Sequence, residues 1–142
     1  MLEVSGGKER ILHYWQQVQP DVKAINNSGV QDTVDRIHAF KTAAYERAVQ
    51  DGAVQLRPGV LRLIEAAHKD GLRLAIATTT SPVNIAALLR SALGLDWRSH
   101  FLAIGDASNA PVKKPNPQVY MKVLADLGLR AADCVAFEDS SN

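Results

Sequence analysis

The strongest constraint on the fold is an alternation of short apolar runs with helical segments over the second half of the chain. The apolar runs occupy residues 72–77, 101–104 and 134–137. Ser81 and Asn116, each followed by proline, are typical helix starts between these runs, and Gly94 and Gly128 are typical helix ends. Strands that alternate with helices in this way form a parallel sheet with right-handed crossovers. The pattern therefore predicts an α/β fold.

The first half of the chain has the apolar spacing of helices instead. Two sets of apolar side chains recur at helical intervals: Ile11, Leu12, Tyr14, Trp15 and Val18, then Val30, Val34, Ile37, Phe40, Ala44, Tyr45 and Ala48. We therefore assign residues 1–52 to a small helical module and residues 53–142 to the α/β core. Pro58 cannot continue a helix from upstream but is tolerated in a first turn, so a further helix is expected over about residues 59–69, closed by Gly71.

Composition and charge exclude several classes of protein. The net charge of +1 argues against nucleic acid or an acidic membrane as the main partner, and 46% hydrophobic with 22% charged residues is typical of a globular protein. No apolar run approaches the roughly 18 residues that span a bilayer, and no charged-then-apolar leader opens the sequence. The single cysteine, Cys134, excludes an internal disulfide framework. These features favour a cytoplasmic protein.

Polar side chains follow each apolar run, and in parallel sheets ligands collect at this carboxyl end of the strands. The first run leads into Thr78, Thr79, Thr80 and Ser81 at a predicted helix start. Hydroxyl groups and unpaired helix amides suit an anionic phosphate. The same residues are also typical of strand propensity and helix capping alone, so this feature by itself leaves both interpretations open.

Lys114 follows the second run and directly precedes Pro115. The proline biases Lys114 toward an extended backbone, which allows its ammonium group to lie over the strand ends. There it would neutralise a phosphoryl group or a carboxylate nucleophile. A solvated loop lysine is the alternative.

Glu138 and Asp139 follow the third run directly. Adjacent carboxylates repel unless a cation lies between them, and such hard oxygen ligands suit magnesium. An acidic helix cap is the alternative. Because three neighbouring strands would end in hydroxyls, a lysine and a carboxylate pair, the coincidence favours one surface that binds phosphate and magnesium.

This arrangement resembles the haloacid dehalogenase superfamily of phosphatases and phosphomutases, and most closely its CbbY-like branch, related to β-phosphoglucomutase. The matching stretches are residues 74–82, residues 113–117 with Tyr120, and residues 133–140. They correspond to the second, third and fourth motifs of the family. The resemblance implies a Rossmann-like three-layer parallel sheet with a helical cap domain, here with both parts incomplete. The cap is matched by residues 5–11 and by Lys41, Thr42 and Tyr45.

The resemblance also implies roles for individual residues. Thr78 and the backbone of Thr79, with Thr80 beside them, would bind the transferring phosphate, and Lys114 would bridge that phosphate and the nucleophile. Asp139, with Glu138 directly or through water, would hold Mg²⁺. In the cap, a second set would bind the distal part of a sugar phosphate: Lys8, Arg10 and Lys41. Solvated charges at a helix start remain the alternative for Lys8 and Arg10.

The activity implied is a magnesium-dependent phosphatase that acts on a small phosphorylated sugar through an aspartyl-phosphate intermediate. A sugar phosphomutase and a non-catalytic phosphate-binding remnant are the alternatives.

The sequence departs from the family in its first motif, an aspartate, any residue, a second aspartate, glycine and threonine. No such stretch occurs in the 142 residues, and we assign the nucleophile to neither Asp51 nor Asp106. The chain also stops where the family continues, so we expect a fragment that lacks the first strand and the C-terminal elements. We expect it to be inactive alone and marginally stable. A smaller departure is Gln118, where the branch commonly has aspartate.

Overall fold

The computed structural model describes residues 4, 6–18 and 28–138. Five helices and two strands lie in these ranges. In chain order they are α1 (Gly7–Val18), α2 (Ser28–Gln50), α3 (Val60–Lys69), β1 (Ala75–Ala77), α4 (Pro82–Leu93), β2 (Ala103–Gly105) and α5 (Gln118–Leu127). Short 3₁₀ turns occupy Trp97–His100 and Ala131–Asp133. No helix of the described ranges is both long enough and apolar enough to cross a bilayer.

The two strands pair in parallel, as predicted. Ala75 lies opposite Ala103, and the register continues to Ala77 opposite Gly105. The contact extends beyond the strands, because the Thr78 amide donates to the Gly105 carbonyl at 2.9 Å. The strands are nevertheless shorter than the apolar runs from which they were predicted.

Helices cover both faces of this strand pair. Ile76 and Ile104 pack against a cluster of Ile85, Leu89 and Trp97, which brings α4 onto one face. Gly105 follows Ile104, so a side chain at position 105 would point to the opposite face of the sheet. These contacts confirm the α/β class and the order helix, sheet, helix.

Gly105 allows α5 to approach β2 closely. A Cβ atom at Gly105 would lie 2.8 Å from Val119 Cγ2, 2.9 Å from Val123 Cγ2 and 3.1 Å from the Val119 carbonyl oxygen. Val119 is fully buried and Val123 is 7% exposed. The glycine thus sets the distance between the sheet and this helix.

The predicted helix boundaries in the core are confirmed. Ser81 precedes α4 in an extended conformation, and its Oγ accepts a hydrogen bond from the Asn84 amide at 3.4 Å. Gly128 ends α5 in the left-handed conformation that glycine adopts readily. The helix expected over residues 59–69 is α3, and Gly71 follows it with φ 70°.

The N-terminal helices α1 and α2 form where the apolar spacing predicted them and contact each other, and α2 also contacts α4. Val34 and Val49 of α2 are buried, whereas Tyr14 and Phe40 keep about two thirds of their surface exposed. Only part of the apolar pattern therefore lies in a core. The domain boundary after residue 52 stays a prediction.

The prediction of a third strand over residues 134–137 is wrong for this structure. Cys134 has an extended backbone, but residues 134–138 belong to no strand, and Val135 and Phe137 are 81% and 77% exposed. The resemblance places another strand between this segment and β1. An isolated extended segment has neither ladder hydrogen bonds nor a covering face, so its apolar pattern alone does not produce a strand.

Candidate phosphate-binding site

The end of β1 forms a compact turn of hydroxyl side chains. The Thr80 amide donates to Thr78 Oγ1 at 3.3 Å, and Asn84 Nδ2 donates to Thr80 Oγ1 at 3.4 Å. The Ala107 amide donates to the Thr80 carbonyl at 2.9 Å, which ties this turn to the end of β2. The local order follows from Ser81, which caps α4, and Pro82, which begins this helix immediately after the turn.

Lys113 joins the loop after β2 to the end of β1. Its Nζ donates to the Thr79 carbonyl at 3.1 Å. Two further hydrogen bonds hold the loop: Val112 N–H donates to Gln118 Oε1 at 2.7 Å, and Asn116 N–H donates to the Lys113 carbonyl at 3.1 Å. The glutamine that departs from the family pattern therefore has a structural partner here.

The Lys114 side chain has a different partner from that of Lys113. Its Nζ forms an ion pair with Glu138 Oε2, and Tyr120 OH donates to the same oxygen at 3.2 Å. The Lys114 Nζ also lies 5.7 Å from the centre of the Tyr120 ring. The side chain of Lys114 is 16% exposed and that of Glu138 is 31% exposed. We call these three residues the lysine triad.

The environment of the lysine triad favours the charged form of Lys114. Burial acts to lower the Lys114 pKa, but the hydrogen bond and the charge of Glu138, with a smaller contribution from Tyr120, raise the pKa above its ordinary value. Lys114 is thus a permanent cation at neutral pH. A cation that is held in place by its neighbours suits the stabilisation of phosphate oxygens.

Asp106 is occupied in its own loop. It is 7% exposed, and its Oδ1 accepts hydrogen bonds from the Ser108 amide at 2.8 Å and from Ser108 Oγ at 2.5 Å. Its amide donates to Asn109 Oδ1 at 2.9 Å. These bonds agree with the interpretation of Asp106 as a loop residue.

Lys8 at the start of α1 and Lys41 of α2 both lie near His38. A Cβ atom at Gly7 would lie 2.9 Å from His38 Nε2 and 4.0 Å from Lys41 Nζ, while Lys8 Nζ pairs with Asp35 Oδ1 at 2.7 Å. The pKa of His38 is lowered, first by burial and then by the charges of Lys41 and Lys8. Both lysine charges thus act on one histidine, and we call Lys8 and Lys41 the cationic cluster.

Arg10 takes a different contact from the two lysines. Its Nε donates to the Gly6 carbonyl at 3.1 Å, so it braces the turn before α1. Among the described residues, no hydrogen bond or ion pair connects the cationic cluster with the strand-end residues Thr78, Thr79 and Thr80.

The predicted magnesium ligands are described only in part. Glu138 lies in the lysine triad, whereas Asp139 lies outside the described residues. Within the ranges that the structure describes, no three His, Cys, Asp or Glu side chains are grouped to hold a metal. Glu138 still fits Mg²⁺ chemically, because this ion commonly uses one or two protein carboxylates and retains several waters.

Sequence reasoning did not assign roles to Lys113, Tyr120, Asn84 or His38. Tyr120 and Glu138 are 18 residues apart, and Lys113 and Thr79 are 34 apart, so no local periodicity relates either pair. One indication of a role for Asn84 was present in the sequence, namely its place in the first turn of a helix that a serine caps. Its Oδ1 is buried and accepts no hydrogen bond from the described residues.

Comparison with known proteins decides the family. The family description "haloacid dehalogenase-like hydrolase" matches residues 8–142. The chain belongs to this family. The protein CbbY (plasmid) of Cupriavidus necator is 51% identical over 142 residues, which are the whole of this chain and 55% of that protein. Hexitol phosphatase B of Escherichia coli is 31% identical over 135 residues, which are 94% of this chain and 55% of that enzyme.

A solved structure gives the same result for the fold. It is a variant of CbbY from Rhodobacter sphaeroides in complex with xylulose 1,5-bisphosphate, with a TM-score of 0.80 and 35% identity. The match covers 98% of this chain and 59% of that chain. The haloacid dehalogenase-type α/β fold is therefore confirmed, and the chain spans little more than half the length of the relatives that it matches.

Proposed function

We propose that this chain carries the phosphate-binding part of a phosphatase that acts on a small sugar-phosphate monoester. The lysine triad is the observation that carries the proposal. It holds Lys114 as a cation, and the adjacent Lys113 donates to the Thr79 carbonyl at the end of β1, where Thr78 and Thr80 also lie. The family is one of hydrolases, and relatives at 51% and 31% identity are a CbbY protein and a hexitol phosphatase.

Within this proposal, Thr78 Oγ1 and the Thr79 amide bind the transferring phosphate, with Thr80 beside them. Lys114 neutralises the oxygens of that phosphate and orients a carboxylate nucleophile. Preorganised donors of this type stabilise a phosphoryl-transfer transition state without moving during the reaction. Glu138 and Tyr120 keep Lys114 in position before the substrate arrives.

Mg²⁺ is the cofactor of the proposal, with Asp139 and Glu138 as its protein ligands. Bound there, it would neutralise further charge on the phosphate oxygens. Glu138 supplies a hard oxygen donor and directly precedes Asp139 in the chain. Because Glu138 also pairs with Lys114, its ligation through water is the simpler arrangement.

The cationic cluster is the proposed site for the distal part of the substrate. Lys8 and Lys41 both lie near His38, and Arg10 braces the turn before α1. The Rhodobacter sphaeroides protein was solved with a sugar bisphosphate, a ligand with a phosphate at each end. A substrate of this class would place one phosphate at Thr78 and Lys114 and the other at Lys8 and Lys41.

The nucleophile of the proposed reaction is an aspartate from a segment outside these 142 residues. Its carboxylate attacks phosphorus in line, the alcohol leaves, and water then cleaves the aspartyl-phosphate. The 142-residue chain alone is expected to bind phosphate without turnover. Magnesium-dependent phosphate release by the purified 142-residue chain would contradict the assignment of the nucleophile to another segment.

A chimera tests the function directly. The segments that precede and follow the matched region in the Cupriavidus necator relative are fused before Met1 and after Asn142. Release of inorganic phosphate from xylulose 1,5-bisphosphate is then measured with and without Mg²⁺. We expect turnover that depends on the ion and falls by at least about 100-fold in Lys114→Met, since loss of one preorganised donor costs about that much. Lys122→Met is the matched control, because Lys122 pairs with Asp126 on the exposed surface of α5.

Product analysis separates the remaining alternatives. Free phosphate supports the phosphatase, whereas an isomerised sugar phosphate from a sugar 1-phosphate indicates a mutase. A chimera that binds phosphate but releases none under any condition would favour the non-catalytic remnant.

A further inference from the structure

Two histidines meet on the surface opposite the proposed phosphate site. His68 lies near the end of α3, which leads to β1, and His100 lies in the 3₁₀ turn that leads to β2. Because β1 and β2 are parallel, both residues precede the amino ends of the strands. The pair is thus distinct from the strand ends at Thr78 and Gly105.

The two imidazole rings approach each other through their Nδ1 atoms. His68 Nδ1 lies 3.4 Å from His100 Nδ1, and the ring centres are 5.1 Å apart with an angle of 32° between the ring planes. Two nitrogens bound to one tetrahedral metal ion at about 2.0–2.1 Å lie roughly 3.3–3.4 Å apart. The observed separation of the nitrogens therefore equals the span of a two-histidine chelate.

Hydrogen bonds determine the proton positions of the pair. His68 Nε2 lies 3.0 Å from the His100 carbonyl oxygen, and because a carbonyl only accepts, Nε2 of neutral His68 carries the proton and Nδ1 keeps its lone pair. In the metal-free chain this lone pair accepts from His100 Nδ1–H, and a bound metal ion would replace that proton, which moves to Nε2 of His100. Histidines that bind metals usually donate their other ring N–H to a carbonyl or carboxylate, and this contact fixes the ring and increases the basicity of the ligand.

We propose that His68 and His100 bind one divalent transition-metal ion, such as Zn²⁺, through their Nδ1 atoms. Imidazole nitrogen suits Zn²⁺, Ni²⁺ and Cu²⁺, whereas Mg²⁺ prefers oxygen. The described residues supply no third His, Cys, Asp or Glu to this pair, so water completes the coordination. The bound ion would fasten α3 to the turn before β2.

Zinc titration of the full chain by calorimetry tests the proposal. Cys134 is exposed, and a thiolate also binds zinc, so every protein in the comparison carries Cys134→Ser. We expect one equivalent of Zn²⁺ to bind, with excess Mg²⁺ as no competitor. His68→Ala and His100→Ala should each weaken the affinity by at least about tenfold, because loss of even an outer-shell partner costs roughly that much.

His13→Ala is the matched control, because it removes a histidine from α1 and should leave the zinc affinity within about twofold. A second measurement identifies the ligating atom: imidazole ¹⁵N shifts should show His68 protonated at Nε2 and bound through Nδ1. Zinc affinity that is unchanged in both variants, or ligation of His68 through Nε2, would overturn the proposal. Circular dichroism of each variant ensures that lost binding is scored only in folded protein.

Discussion

The strand pair β1–β2 and the segment over residues 134–138 have similar apolar patterns but different environments. β1 and β2 lie between α4 and α5, and Ala103 and Gly105 of β2 are buried. In residues 134–138 every residue is exposed. The difference shows that an apolar run becomes a buried strand only where a neighbouring strand and a covering helix are supplied.

The candidate site joins these two regions. Thr78 and Lys113 belong to the covered side, whereas Glu138 belongs to the exposed segment. The Lys114–Glu138 ion pair is the contact that connects them. The position of Lys114 in the candidate site therefore depends on residues 134–138, which are exposed and make few packing contacts.

The largest contrast between the two regions should appear in stability. Leu89→Ala removes a buried side chain from the cluster on β1 and β2 and should lower the free energy of unfolding by about 2–5 kcal/mol. Phe137→Ala should change it by less than about 0.5 kcal/mol, because that side chain is 77% exposed. Urea unfolding measures both, and equal losses would contradict the comparison.

Gly105→Ala tests the close approach of α5 to the sheet. The added methyl group would meet two valine side chains and a backbone oxygen at 3.1 Å or less, so we expect a loss of about 1–3 kcal/mol. Chemical denaturation measures the loss. A variant as stable as the parent would mean that α5 shifts freely and that Gly105 does not set its position.

Glu138→Gln tests the contact between the two regions. It removes the charge that raises the Lys114 pKa against the opposing effect of burial, so that pKa should fall. Because the folded-state pKa is raised, the stabilisation by the pair is complete below the ordinary value of 10.5 and is lost as the pH rises through the folded-state pKa. At neutral pH the loss should be about 0.2–1 kcal/mol.

NMR titration of the Lys114 ammonium in magnesium-free buffer measures the shift, and Asp133→Asn serves as the control. A Lys114 pKa that stays raised in Glu138→Gln would show that the two regions are not coupled electrostatically.

The smallest effect is expected at the exposed pair that precedes the segment. Arg130 donates to both carboxylate oxygens of Asp133, at 2.8 and 3.0 Å, and this hydrogen bonding lowers the Asp133 pKa. Arg130→Ala should return that pKa toward its ordinary value of 3.8 without a measurable change in stability, since both groups are fully exposed. Carboxyl ¹³C titration follows the pKa, and a clear loss of stability would show that this end of the chain is packed.

Local patterns in the chain were enough to predict most of the secondary structure. Ser81 with Pro82, and Gly128, mark their helix ends through backbone geometry and capping, which act within a few residues. The parallel pairing of β1 and β2 followed from their connection through a helix. The position of Thr78 directly after β1 followed from the same topology.

Tertiary contacts decided the rest, because they join residues far apart in the chain. Lys113 reaches Thr79, Lys114 and Tyr120 share Glu138, and His68 meets His100, and no local periodicity relates the members of these pairs. The exposure of residues 134–138 was likewise beyond local prediction. A strand needs a partner for its hydrogen bonds and a face that covers its side chains, and neither is encoded within the strand itself.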